Sequence, residues 1–139
     1  LKRFRREFRK DYQKRGIDVV VVLPEESFWI EEKVVRKDWK EFALEYYSNK
    51  EAGILGWMNT DLKCDYLLYV FYPSKTIYLL KWDELKKLWD KKKREWLKTK
   101  ERLFIGNQGS GSSMCLKIPI EEIETELSKK QNSFMKIEL

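Results

Sequence analysis

The spacing of apolar positions changes several times along this chain, and each change marks an element. Phe4, Phe8 and Tyr12 recur every four residues, the spacing of one helix face, which predicts a helix over 2–14 that Gly16 ends. Residues 19–23 are apolar on both faces and read as a central strand. After the turn residues Pro24-Glu25-Glu26-Ser27, residues 28–35 predict the next strand, its hairpin partner. Residues 42–47 alternate, with Phe42, Leu44 and Tyr46 to one side and Ala43, Glu45 and Tyr47 to the other. A loop with Gly53, Gly56 and Trp57 follows. Strands are predicted at 66–72 and 76–80, joined by Pro73-Ser74-Lys75. A helix is predicted over 83–98, with Trp82, Leu85, Leu88, Trp89 and Trp96 close to one stripe. Then come a short strand at 103–105, a Gly/Ser loop over 106–113 and a last strand at 115–118. Pro119 suits the first turn of a helix ending at Leu127, and the tail after Lys129 is expected to be loosely held. This order predicts an α/β (α+β) class with a mixed central β-sheet of about four to five strands flanked by helices. The whole of 1–139 is expected to form a single domain.

Composition narrows the class. With 42% hydrophobic and 14% aromatic residues the chain can bury a core. The net charge of +6 is unevenly spread: residues 1–16 carry eight Lys/Arg against Glu7 and Asp11, and residues 81–100 carry nine against four acids. Basic ends around an acidic middle suit a polyanion-binding rim about a carboxylate centre; two solvated amphipathic helices are the plainer reading. There is no histidine, which removes the usual general base, the serine-hydrolase triad and His-metal enzymes. Cys64 and Cys115 have no zinc spacing and read as buried apolar residues in a reducing compartment. No apolar run reaches a membrane span of roughly 18 residues and no signal peptide is visible, so a cytoplasmic chain without membrane partners is expected, in the host cytoplasm if viral. The chain begins at Leu1, so sequence upstream is expected.

The candidate chemistry lies on the second predicted strand. On a strand, residues two apart share a face, so Glu31 and Lys33 lie together with Trp29 and Val35, whereas Glu32 points the other way. Asp18 opens the preceding strand, and Glu45 would face the same site if the strands pair in order. Two carboxylates and a lysine suit metal-assisted phosphodiester hydrolysis: Asp18 and Glu31 as ligands of Mg2+ (Mn2+ as substitute), Lys33 to orient or deprotonate water or to stabilise developing charge, and Glu45 to hold a second metal or a water. A strand with an edge salt bridge is the plainer reading of the triplet alone. Arg6, Arg9, Lys10 and Arg15, close in sequence to Asp18, are candidate nucleic-acid contacts, and Trp57, near a loop, is a candidate for stacking on a base. The run Lys91-Lys92-Lys93-Arg94 winds around a helix and cannot all face one ligand.

At these residues the chain resembles the PD-(D/E)xK nuclease superfamily, the restriction-endonuclease-like fold, in its small phage, viral or bacterial forms. The resemblance rests on Gln13-x-x-Gly16-Ile17-Asp18, on 28–33 with its acid-x-Lys, on Phe42-Ala-Leu-Glu45, Gly56-Trp57 and Asp65-Tyr66-Leu67-Leu68, and on 116–120. It departs from the family in the charged middle residue, Glu32, and in lacking Pro before Asp18. The resemblance implies that Asp18, Glu31 and the main-chain oxygen of Glu32 bind the metal, that Lys33 is the catalytic lysine, and that Gln13 and Glu45 are secondary site residues; Glu7 matches a helix acid of some members. It further implies a Mg2+-dependent nuclease with DNA rather than RNA as its substrate. Endonuclease action suits a small domain without a visible helicase or processivity partner, a homodimer is expected if duplexes or junctions are cut because a single site cuts one strand, and no organic cofactor is expected. A non-catalytic nucleic-acid-binding module and a viral or host interaction protein are the competing readings.

Overall fold

The structure, a computed structural model, describes residues 3–6, 19–22, 27–107 and 111–138. Among them the chain is mixed α/β, with two sheets and two helices, and it divides into two compact units. The first comprises Leu1–Trp39, Leu62–Leu85 and Leu127–Leu139, and the second Lys40–Asp61 and Lys86–Glu126.

The first unit is built on a six-stranded sheet of order β1-β2-β3-β6-β7-β10. The strands are β1 (Arg3–Arg6), β2 (Val19–Val22), β3 (Ser27–Val35), β6 (Tyr66–Phe71), β7 (Thr76–Lys81) and β10 (Phe134–Glu138). The β3–β6 pair is parallel and the other four pairs are antiparallel. A parallel pair needs a long connection, here the segment that contains β4 and β5. Leu67, Tyr69, Phe71, Tyr78 and Leu80 are buried, as the two-residue period of β6 and β7 dictates. Tyr69, Phe71, Tyr78 and Phe134 form a chain of ring contacts with centroids 5.2, 5.8 and 5.7 Å apart.

The second unit holds a four-stranded antiparallel sheet of order β5-β4-β9-β8. Its strands are β4 (Glu41–Asn49), β5 (Ile54–Leu55), β8 (Arg102–Asn107) and β9 (Gly111–Pro119). Phe42 and Leu44 pair with Ile118 and Leu116, and all four are fully buried. The β4–β9 register shifts between Glu45 and Tyr47, a β-bulge that ends the alternation read from the sequence and turns Tyr47 opposite Met114. Helix α1 (Trp82–Thr99) begins in the first unit and runs on through the second, and α2 (Ile120–Leu127) follows β9. Asp83 and Glu84 in the first turn of α1 and Lys98 in the last complement the helix dipole. Each buried indole N–H of the second unit has an acceptor: Trp89 donates to Asn59 Oδ1 (2.8 Å) and Trp96 to Glu122 Oε1 (3.0 Å).

Several expectations are corrected. Residues 3–6 of the expected N-terminal helix form β1, paired antiparallel with β2; a spacing of four satisfies strand parity as well as a helix face. The rest of that expected helix lies outside the described residues. There are two sheets rather than one central sheet, because β4 pairs with β5 and β9 instead of β3. Within the expected Gly/Ser loop, Gly106 and Asn107 belong to β8 and 111–113 to β9, whereas 108–110 lie outside the described residues. Pro119 ends β9 instead of opening the helix. The tail after Lys129 contributes β10, from Phe134 paired with Leu80 to Glu138 paired with Thr76. No described helix is long and apolar enough to cross a membrane.

Candidate functional site

Glu31 and Lys33 owe their setting to β6. In the parallel ladder Glu31 lies beside Leu67 and Lys33 beside Tyr69, and paired residues share a sheet face. Leu67 and Tyr69 are buried, so the acid and the lysine stand on the apolar side of the sheet. Burying a carboxylate there is costly unless a cation accompanies it. Lys33 supplies that cation: its Nζ lies 2.8 Å from Glu31 Oε1, with side-chain exposures of 31% for Lys33 and 10% for Glu31. The amine reaches solvent while the carboxylate hardly does.

Cys64 borders the same carboxylate. Burial pushes its thiol up to about 12, the charge of Glu31 adds to this, and a hydrogen bond from the Glu31 main chain works the other way. Asp65 and Asp83 contribute further negative charge around the sulfur. Such a thiol stays protonated at neutral pH and is no nucleophile. Asp65 also fixes the approach of β6 to β3: its carboxylate accepts the Trp29 N–H at 2.8 Å and its own N–H donates to Trp29 O at 2.7 Å.

No family model, curated protein or solved structure matches this chain.

Of the expected site residues, the structure brings Glu31 and Lys33 together. Glu32 is half-buried beside Leu68 and, by strand parity, faces the other side of the sheet. Glu45 belongs to the second sheet, so the strand order that would set it beside Glu31 is not the observed one. Its Oε1 accepts the main-chain N–H of Trp57 at 3.3 Å, at the start of the 3-10 turn Trp57–Asn59. That bond satisfies one of the donors a helical turn leaves open and gives Glu45 a structural task. Trp57 itself is half-buried. Arg6 lies in β1, opposite Val19. Glu7, Arg9, Lys10, Gln13, Arg15 and Asp18 lie outside the described residues.

Among the described residues no group of three or more Cys, Asp or Glu converges to hold a metal ion. What they do offer is the hard carboxylate oxygen of Glu31, of the kind Mg2+ takes one or two of, with waters and substrate oxygens completing its shell. Sequence reasoning missed the neighbourhood of Cys64. The available signal was its place two residues before Tyr66, at the head of the strand that pairs with β3.

Proposed function

We propose that this chain is a Mg2+-dependent deoxyribonuclease, of the endonuclease kind, akin to the PD-(D/E)xK superfamily that its motifs resemble. The observation that carries the reading is the Glu31–Lys33 pair, 2.8 Å apart on the apolar side of β3. An ion pair in such a place contributes little stability relative to well-packed apolar side chains of similar volume. The fold therefore gives no need for it, whereas phosphodiester hydrolysis does. Asp18 is the proposed second acid. The neighbour that follows it, Val19, pairs with Ile30, the neighbour that precedes Glu31.

Mg2+, when bound by Glu31 and Asp18, supplies the positive charge that activates water and offsets charge building on the phosphate. Lys33 offsets the charge of Glu31 in its apolar setting and would orient the attacking water or stabilise the charge developing on the phosphate. Arg6, Arg9, Lys10 and Arg15 are proposed to contact the DNA backbone, and Trp57 to stack on an exposed base. A homodimer would let two such sites cut both strands of a duplex.

Plasmid and oligonucleotide DNA incubated with the protein in Mg2+ or Mn2+ should be cut, and EDTA should stop the cutting. Glu31→Gln and Lys33→Ala should each abolish cleavage while the melting transition shows a folded chain. Wild-type cleavage by either folded variant would sink the assignment, as would cleavage that persists in EDTA.

A further inference from the structure

Helix α1 carries nine of its charges as an ordered pattern that the linear run of lysines conceals. Two acids neutralise three of its basic residues: Asp90 Oδ1 lies 3.6 Å from both Lys86 and Lys93, and Glu95 Oε2 lies 3.5 Å from Lys92. The other basic residues are Lys87, which has an interaction of its own, and Lys91, Arg94 and Lys98; all four are exposed. Among the described residues Lys91, Arg94 and Lys98 take part in no ion pair. Steps of four, three and four residues keep these side chains on one stripe, about 16 Å long at a rise of ~1.5 Å per residue. The stripe lies on the side of the helix opposite the buried Leu85, Trp89 and Trp96. It is therefore a straight, solvent-facing row of positive charge on a helix held from behind by its indoles.

We propose that this stripe is a contact surface for the phosphate backbone of double-stranded DNA. A duplex presents one negative charge per roughly 1.7 Å of axis, more than enough to match each cation along the row. The chemistry of the row argues against other occupants. It has no aromatic residue on which unpaired bases would stack. Three of its four cations are lysines, point charges that suit phosphate oxygens of any sequence, and it has no Asn or Gln to read adenine edges. The large apolar side chains Leu88, Trp89 and Trp96 are buried, leaving the helix without the apolar face that an amphipathic membrane-surface helix would insert. The proposal does not rest on cleavage, since binding is measured without metal.

The test is fluorescence anisotropy of a labelled 20-base-pair duplex with the full chain in EDTA, titrated between about 50 and 200 mM NaCl. Each phosphate contact contributes about 0.9 to the slope of log affinity against log salt. Lys91→Gln/Arg94→Gln should lower that slope by about 2 and weaken binding at least about tenfold at 100 mM salt. Lys92→Gln/Lys93→Gln removes the same charge from the flanks of the same helix and should change the slope by less than about 1. Gln keeps helix propensity, and the charge-retaining Lys91→Arg/Arg94→Lys should bind as wild type does. Equal losses from the stripe and flank pairs would overturn the proposal, as would salt-independent duplex binding. Loss of binding to phosphatidylserine vesicles with duplex affinity unchanged would assign the stripe to membranes instead. A stripe variant that loses binding in EDTA supports the stripe whatever the outcome of the cleavage assay; a Glu31→Gln chain that keeps the slope but cuts no DNA separates the two sites.

Discussion

Lys33 Nζ meets Glu31 Oε1 at 2.8 Å across a single intervening residue of β3. Because the carboxylate is the more buried partner, the two truncations should differ. Lys33→Met leaves Glu31 charged and partly desolvated, and should cost about 1–3 kcal/mol, less than a fully buried pair because Lys33 reaches solvent. The double change Glu31→Gln/Lys33→Met removes both charges and should be more stable than Lys33→Met alone. Urea denaturation of the four chains of this cycle measures the coupling; a double variant no more stable than the single would show that the pair is not electrostatically linked.

The thiol of Cys64 should be shielded until the chain unfolds. With its pKa raised to about 12 from the ordinary 9.0, the thiolate fraction at pH 8 falls on the order of a thousandfold. In a Cys115→Ala background, iodoacetamide should label native Cys64 slowly at pH 8 and rapidly in urea. The sign of the linkage follows from the same shift. Between pH 9 and 12 the unfolded chain loses this proton and the folded chain keeps it, so stability should fall as pH rises through that window. Native labelling as fast as that of a free thiol would refute the burial of the sulfur.

Gly56 should not tolerate alanine. A Cβ placed there would meet the main-chain oxygen of Glu45 at 2.5 Å and its Cγ at 2.6 Å. The Gly56 N–H meanwhile donates to Tyr46 O at 2.8 Å, which ties the loop to the bulge and leaves the backbone little room to retreat. Gly56→Ala should cost about 1–3 kcal/mol and lower the melting temperature. Gly106→Ala, where a Cβ meets nothing within 4 Å, is the control and should change stability little. Equal effects at the two positions would remove the close approach as the cause.

The strand that carries the candidate site was legible because a two-residue period decides which residues share a face. Glu31 and Lys33 could be grouped, and Glu32 excluded, without any knowledge of neighbouring strands. The partner of β4 was not legible. Its alternation through Leu44 fits any sheet, and only the tertiary pairing with β9 shows which one it joins. Nothing in Glu45-Tyr46-Tyr47 announces the bulge that sends Glu45 to the Trp57 N–H. β1 was misread because Phe4 and Phe8 lie an even number of residues apart, a spacing that helix and strand share. β10 was overlooked because Phe134-Met135-Lys136-Ile137-Glu138 is short and follows a polar stretch, although the strand pairs along its whole length with β7.

The order in which the chain visits its two units has a practical consequence for dissecting it. The path passes from one unit to the other at 39/40, 61/62, 85/86 and 126/127, so no single stop codon or protease cut releases either unit intact. A fragment ending before Phe134 would strip β7 of its outer neighbour, and one starting after Trp39 would lose the strand that carries Glu31 and Lys33. Deletion mapping would therefore report loss of folding at almost any boundary, and function has to be assigned by side-chain substitution in the whole chain.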